Sequence, residues 1–525
     1  MDKIKYDYDF IIIGSGFGGS VSALRLSEKG YKVLVVEKGK WWKSTDFAKT
    51  NWNLKRWMWL PVLRFWGILK LTYYRHIGIV SGVGVGGGSL VYANTLPVPK
   101  KSFFESESWS HLADWKNELK DFYPLALKML GADLNPRLEA GDLALKKLAI
   151  EMDKEGDFHP TNVSVYFGEP GETVSDPYFD GKGPDRTGCI YCGGCMVGCR
   201  HNAKNTLDKN YLHLAQQNGV KIQAESEVVD VKPMGNKDGS DGYKVFWEKS
   251  TSLLFKKKGM VTCKGVIFSG GVLGTVQLLL SLKESSLPHL SDKVGCMVRT
   301  NSEALIPITS FDKSAEFSTG IAIGSILHTN EHTHIEPVRY SRGSGFWRLF
   351  ILPRVFGKSV LTRIGKIVSE IISHPIKNLK IFFVWDWAKR TQILLFMQTL
   401  DSTLKFSKVR FRKRMKTNLE KGKAPTPFIP EANEYAEKLA EKLNGEPMMP
   451  NNEALFGMST TAHILGGAVM GKDKSEGVID KNNRVFGYKN LFICDGSMIS
   501  ANPGVNPSLT ITALTERAMS KIPKL

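Results

Sequence analysis

The N-terminal segment constrains the fold more than any other part of the chain. Asp9 to Ile13 (DFIII) is a short apolar run with β-branched residues, the composition of a buried parallel strand. The turn Gly14-Ser15-Gly16-Phe17-Gly18-Gly19 matches GxGxxG. A helical stretch from Ser20 to Lys29 and a second strand, Lys32 to Val36, follow it and end in Glu37. Glycines permit a tight turn and let the backbone approach a pyrophosphate, which rests on the N-terminus of the helix. An acid at the end of the second strand is placed to accept hydrogen bonds from a ribose hydroxyl. A glycine turn alone would be an ordinary loop; strand, turn, helix, strand and acid in this order read as a dinucleotide site. The segment by itself leaves NAD and FAD both open.

With 525 residues there is room for a second domain. Residues 81–95 read SGVGVGGGSLVYANT, where Gly86, Gly87, Gly88 and Ser89 suit a backbone lying against a flat ring system or a phosphate. Residues 265–280 (GVIFSGGVLGTVQLLL) repeat the strand–glycine–helix order. Near the other end, a strand from Leu491 to Cys494 runs into Asp495-Gly496, and the loop Gly504-Val505-Asn506-Pro507 runs into an apolar helix. Both ends of the chain are therefore expected in one discontinuous nucleotide domain. The fold class read from this order is α/β: a Rossmann-type domain from residues 1–100, 185–300 and 455–525, with an α+β substrate-binding region from 101–184 and 301–454.

The motifs GSGFGG at 14–19, GVGGGSLV at 84–91, SGGVLGT at 269–275, HILGG at 463–467, and DGS with GVNPSLTITALTER at 495–517 carry a resemblance. The chain resembles the glucose–methanol–choline (GMC) oxidoreductases, and within them the bacterial cholesterol-oxidase-like branch, with 300–455 matching only loosely. The resemblance implies FAD as the cofactor and a sterol or other lipid-like alcohol as the substrate, oxidised by hydride transfer to the flavin. It implies that His463 and Asn506 face the flavin ring, that Asp495 contacts the flavin side chain near the ribityl group with Gly496 beside it, and that Val228 lies by the adenine. The branch has a further active-site glutamate. Glu336, in HIEPVRY, lies in the right region, but its spacing does not fit and no residue is assigned. Leu90-Val91-Tyr92 also departs from the LVN of that branch. Two rival readings are a GMC-fold lyase and an electron-transfer flavoprotein.

The second rival comes from Cys189, Cys192, Cys195 and Cys199, spaced C-x2-C-x2-C-x3-C like a bacterial ferredoxin loop. That spacing implies an iron–sulfur cluster; a zinc knot or thiols packing a glycine turn are the alternatives. The formal charge of +19 favours an anionic partner. No zinc-finger, RNA-recognition or helix-turn-helix signature accompanies it, so nucleic acid is not expected. Trp52, Trp57, Trp59 and Trp66 lie among Lys55, Arg56, Arg64 and Lys70, residues 346–383 hold a similar mix, and RFRKRMK (410–416) adds charge. Rings at an acyl boundary and cations at lipid phosphates are the chemistry of an interfacial segment, and the expected partner is an anionic membrane surface. The first strand starts close to Met1, leaving no room for a signal peptide, and no apolar run of about 18 residues is present. A cytoplasmic protein, peripheral on the inner face of the membrane, is expected.

Overall fold

The computed structural model describes residues 5–400, 402–409 and 414–525; the basic run 410–416 therefore lies mostly outside the described residues. The N-terminal strand forms over Tyr8–Ile13, and its last four residues are buried. It pairs in parallel with Val33–Val36 on one side and with Lys258–Phe268 on the other. Lys221–Gln223 extends the sheet beyond Val33–Val36, and Leu491–Ile493 pairs in parallel with the end of Lys258–Phe268. Parallel strands buried on both faces need continuous apolar runs, and DFIII, VLVV, GVIF and LFI supply them. An antiparallel pair, Ser226–Pro233 with Tyr243–Lys249, completes seven strands.

Helix Phe17–Glu28 packs on the C-terminal helix Ser508–Ser520 and on Tyr211–Gln217. The contact is fixed by charge as well as by apolar burial. Arg25 Nε donates to Glu516 Oε2 at 2.7 Å, and Tyr211 Oη donates to Glu516 Oε1 at 2.7 Å. The two ends of the chain thus close one layer. Helix Phe122–Met129 also packs on Ser508–Ser520.

A second seven-stranded sheet has the order Ile351–Pro353, Gly445–Pro450, Ala304–Ser310, Thr391–Gln398, Thr333–Val338, Ser325–His328, Phe158–Pro160. Its period-two alternation sorts two environments. Ala304, Ile306, Ile308, Ile335, Leu394 and Phe396 pack in one core with residues of helices Ala140–Glu151 and Pro430–Lys442. Leu305, Pro307, Val338, Ile393 and Leu395 turn the other way and line a cavity of about 800 Å³ between the two sheets. One face makes the core and the other makes the site.

Candidate active site

The first glycine turn forms one end of this cavity. Gly14 has φ +102°, and a Cβ there would lie 2.3 Å from Ser269 O; on Gly18 a Cβ would lie 1.7 Å from Cys494 O. Those two glycines allow strand, turn and helix to touch. Gly16 differs: a Cβ there would meet nothing within 4 Å, and the open space belongs to the cavity. The second run comes to the same place, since a Cβ on Gly87 would lie 2.7 Å from Gly16 Cα. Gly87 and Gly88 line the cavity, while Gly86 and Ser89 stand behind them. Ser89 Oγ donates to Gly86 O at 2.7 Å, and Gly86 N–H donates to Ser15 Oγ at 3.1 Å.

Glu37 is buried at the cavity wall. Its Oε2 accepts from the main-chain N–H of Ser15 at 3.0 Å and from Ser15 Oγ at 2.8 Å, and its Oε1 accepts from Gly39 N–H at 2.7 Å. A carboxylate has about four lone-pair sites, so acceptor capacity remains. Val228, Asp495 and Gly496 also line the cavity. Asp495 accepts from Ser497 N–H at 2.8 Å and from Thr275 Oγ1 at 2.5 Å. Burial raises its pKa, against the pull of these hydrogen bonds. Phe17 and Gly18 line the turn, and Gly19 supports it, a Cβ there lying 2.1 Å from Gly14 O.

The polar end of the cavity holds His463, Asn506 and Glu303. His463 Nδ1 lies 2.9 Å from Glu303 Oε1, so a proton on Nδ1 leaves Nε2 free as an acceptor. Glu303 is itself held by Thr461 Oγ1 at 2.5 Å and the N–H of Ala462 at 3.1 Å. Burial pulls the imidazole pKa down, but the charge and hydrogen bond of Glu303, with the charge of Glu336, outweigh it and leave the pKa raised. Asn506 Nδ2 stands 3.4 Å from His463 Nε2 and donates to Glu336 Oε2 at 3.3 Å, while its Oδ1 is buried without a hydrogen-bond partner among the described residues. The structure thus brings together the expected pair, His463 and Asn506. Glu336, to which the sequence assigned no role, is carried to Asn506 by the strand Thr333–Val338. Sequence reasoning missed Glu303 altogether. Its signal was the alternation of Glu303, Leu305 and Pro307, which puts a carboxylate on the cavity-facing side of an otherwise apolar strand.

Residues 8–298 match the N-terminal family profile described as GMC oxidoreductase, and residues 402–515 match the C-terminal one. The chain belongs to the GMC oxidoreductases. A cholesterol oxidase of Acinetobacter baumannii is 47% identical, over 99% of this chain and 95% of its own length. A cholesterol oxidase of Mycobacterium tuberculosis is 41% identical, over 99% and 92%. A long-chain-alcohol oxidase of Arabidopsis thaliana is 24% identical, over 98% of this chain and 67% of that protein. The fold is also that of a pyridoxine 4-oxidase from Mesorbium loti, with TM-score 0.61, 14% identity and 98% of each chain covered. This GMC oxidoreductase is accordingly an FAD-dependent alcohol oxidase or dehydrogenase, and neither the lyase nor the electron-transfer reading is favoured. The residues fit the cofactor, because the open face of Gly16, with Gly87 pressed against its backbone, leaves a cradle that a side chain at Gly16 would fill.

Among the described residues no group of three or more His, Cys, Asp or Glu side chains could hold a metal ion. That finding gives the iron–sulfur expectation no support. Cys189 is buried, Cys192 is exposed, and Cys195 and Cys199 are half-buried. Burial pushes the Cys189 thiol up, whereas at Cys199 burial is outweighed by the charge of Lys209 and by main-chain hydrogen bonds and the thiol pKa is lowered. The loop is a brace. Lys204 Nζ donates to Leu90 O at 3.2 Å, Tyr92 O at 2.8 Å and Cys195 O at 2.9 Å, pinning it to the second glycine run. Met196 on the loop lines the cavity.

The tryptophan-rich segment also divides. Trp57 and Trp59 are buried, and Trp57 packs edge-on against Phe346 and Trp347. Trp52, Leu60, Val62 and Leu63 of the same segment are exposed, Val62 at 83%, and further exposed apolar surface lies on helices Val360–Ser373 and Pro375–Phe382, where Leu361 is 81% exposed and Ile372 is 72% exposed. No helix among the described residues is long and apolar enough to cross a membrane.

Proposed function

We propose that this enzyme oxidises the CH–OH group of a sterol or similarly apolar, lipid-like alcohol. One observation carries the reading: His463, Asn506 and Glu303 meet where the glycine cradle gives way to a wall built from Leu305, Ile323, Val338, Trp387, Ile393 and Leu395. Burying such a wall against a fused-ring or long-chain substrate contributes about 25 cal/mol per Å² of apolar surface, whereas a sugar would leave its hydroxyls unpaired there. The names of the relatives at 41–47% identity support the same substrate class.

In this reading the FAD pyrophosphate lies against Gly14–Gly19, its ribose hydroxyls reach Glu37, and Val228 borders the adenine. Gly86–Ser89, Asp495 and Gly496 hold the flavin end. Residues 1–100, 185–300 and 455–525 form the nucleotide body, and 101–184 and 301–454 supply the substrate side. Bound there, FAD supplies the acceptor for the hydride equivalent of the carbinol carbon. The chain's own residues manage the oxygen and its proton. Asn506 orients the hydroxyl, His463 Nε2 accepts the proton, and the Glu303 carboxylate at Nδ1 stabilises the imidazolium.

The substrate is taken from an anionic lipid surface. Leu361, Ile372, Ile376, Leu379 and Phe383 are exposed on the two helices and the turn after them, with exposed Lys358, Lys366 and Lys380 among them. Helix Val360–Ser373 packs on strand Ile351–Pro353 and on helix Asn451–Phe456, whose Ile351, Asn451 and Asn452 line the cavity. An amphipathic face beside a cavity mouth is suited to lie on lipid while the substrate passes behind it.

Anaerobic mixing of the flavoprotein with cholesterol, a long-chain primary alcohol and a sugar alcohol tests the proposal. The flavin absorbance is expected to bleach with the sterol and to stay unchanged with the sugar alcohol. Bleaching by the sugar alcohol with no response to either lipid would overturn the substrate class.

A further inference from the structure

The second sheet carries a line of imidazoles that the alcohol site does not use. Glu336 and His334 stand two residues apart on strand Thr333–Val338, so their side chains share a face. His328 is the cross-strand partner of His334. His159, on Phe158–Pro160, is the partner of Ile326, two residues from His328 on the same face. Strand register alone therefore sets four titratable side chains in a row from Asn506 to the sheet edge. The distances agree. Glu336 Oε1 lies 3.6 Å from His334 Nε2, the rings of His334 and His328 are 5.6 Å apart between centroids, and those of His328 and His159 are 5.4 Å apart. At such separations facing ring nitrogens approach hydrogen-bond distance. Burial falls along the row: Glu336 and His334 are buried, His328 is half-buried and His159 is exposed.

The inner junction is unfinished. Glu336 Oε1 and His334 Nε2 are both buried and neither makes a hydrogen bond among the described residues. Two such atoms facing each other are costly unless a proton passes between them or binds them together. The site also needs an exit. An apolar substrate filling the wall end of the cavity excludes water there, while oxidation of each alcohol releases one proton from its hydroxyl.

We propose that Glu336, His334, His328 and His159 form a proton path that carries the hydroxyl proton from the active site to solvent. The path rests on the alcohol-oxidising reading of His463 and Asn506. Its steps balance without moving an electron. The proton held on His463 Nε2 passes to Glu336 Oε2 through a water held at Asn506, whose Nδ2 both atoms flank and whose buried Oδ1 has no hydrogen-bond partner among the described residues; one N–H bond breaks, one O–H bond forms on Glu336, and the water gains one proton as it loses another. Glu336 then gives a proton from its outer oxygen to His334 Nε2, while the other nitrogen of His334 gives its own to His328, which passes one to His159. His159 Nδ1 lies 3.1 Å from Pro160 O; donating there leaves Nε2 as the last acceptor before water. His328 does not trap the proton: burial, with the charges of His334, Lys100 and His159, pulls its pKa down to about 3. The ring therefore takes a proton on one nitrogen only as it releases one from the other.

The holoenzyme tests this with His334→Gln and with the outer pair His328→Gln/His159→Ala, which keeps the test open if the buried variant fails to fold. Two rates are read at low buffer concentration: flavin reduction by the alcohol, and proton uptake reported by an indicator dye during photoreduction of the bound flavin with an external electron donor. The second needs no alcohol. Both are expected to fall at least about tenfold, with flavin affinity and melting temperature unchanged, and added imidazole is expected to restore the outer-pair variant. Wild-type rates in both measurements, or a loss that imidazole does not restore, would overturn the path. If no alcohol reduces the wild-type flavin but the photoreduction result holds, the alcohol reading fails and the path stands.

Discussion

His463 sits between two carboxylates with different tasks. Glu303 bonds its Nδ1 directly, whereas Glu336 reaches the imidazole through charge and through the shared Asn506 amide. The sign of the pH dependence follows. As a base His463 must be neutral, so the rate of flavin reduction rises as pH passes upward through the raised imidazole pKa. Replacing Glu303 by Gln removes the larger of the two charges that raise it and leaves burial, which lowers it, opposed by the charge of Glu336. The acidic limb of the Glu303→Gln profile is therefore expected to move to lower pH, read by anaerobic stopped flow across a pH series. An unmoved or upward-shifted limb would show that Glu303 does not set the imidazole. His463→Ala removes the acceptor itself and is expected to slow flavin reduction by about 10²–10⁴-fold with FAD retained. A variant that reduces its flavin at the wild-type rate takes His463 out of the reaction. His463 and Asn506 were legible because each lies in a local motif, HILGG and GVNP. Glu303 and Glu336 were not, because their role depends on strand register: each is one carboxylate in an unremarkable stretch until pairing brings its strand to the cavity.

At the scale of elements, the sequence read correctly wherever one segment contains its own structural logic. The strand–turn–helix–strand at the N-terminus appears as expected, with Tyr8–Ile13 and Val33–Val36 hydrogen-bonded in parallel. It left alternatives open where composition is ambiguous. Tryptophan and lysine interleave equally well in an interfacial segment and in a wall whose cations reach past their own stems to water; Trp57 and Trp59 are buried, while Trp52, Val62 and Leu63 are exposed. Four cysteines at ferredoxin spacing likewise fit a cluster or a tight turn, and among the described residues they form no group that could hold a metal ion. The helix pair Val360–Ser373 and Pro375–Phe382 exposes apolar side chains on two successive helices, so the lipid prediction belongs there. Each side chain of this size contributes about 1.5–3 kcal/mol when taken out of water. Leu361→Asp with Ile372→Asp and Ile376→Asp is therefore expected to abolish co-sedimentation with anionic vesicles while leaving turnover of detergent-dispersed substrate unchanged. Wild-type binding should also weaken as salt rises, since the Debye length falls from ~10 Å at 0.1 M to ~3 Å at 1 M. Undiminished vesicle binding by the triple variant would move the lipid contact off these helices.

For the whole molecule, two neighbouring glycines separate cofactor binding from folding. Gly18 lies where the N-terminal helix meets the strand before Asp495, and a Cβ there would sit 1.7 Å from Cys494 O. Relieving that overlap means prying apart the first and last segments of the chain, which Arg25, Tyr211 and Glu516 hold together. Gly16 is two residues away, yet a Cβ there meets nothing within 4 Å. The space in front of it is reserved for something the chain does not supply. Gly16→Val is therefore expected to fold but to lose FAD, whereas Gly18→Val is expected to lose the fold whether or not FAD is present. Loss of a ligand present at 100 times its Kd removes about 2.7 kcal/mol of stability. The melting temperature of Gly16→Val should accordingly match that of deflavinated wild type and stay put when FAD is added, while the wild type recovers its higher value. Flavin fluorescence titration with thermal unfolding reads both quantities on the same samples. A Gly16→Val protein that binds FAD with wild-type affinity would remove the cofactor from this turn, and a Gly18→Val protein as stable as the wild type would remove the helix–strand contact as the reason for the second glycine.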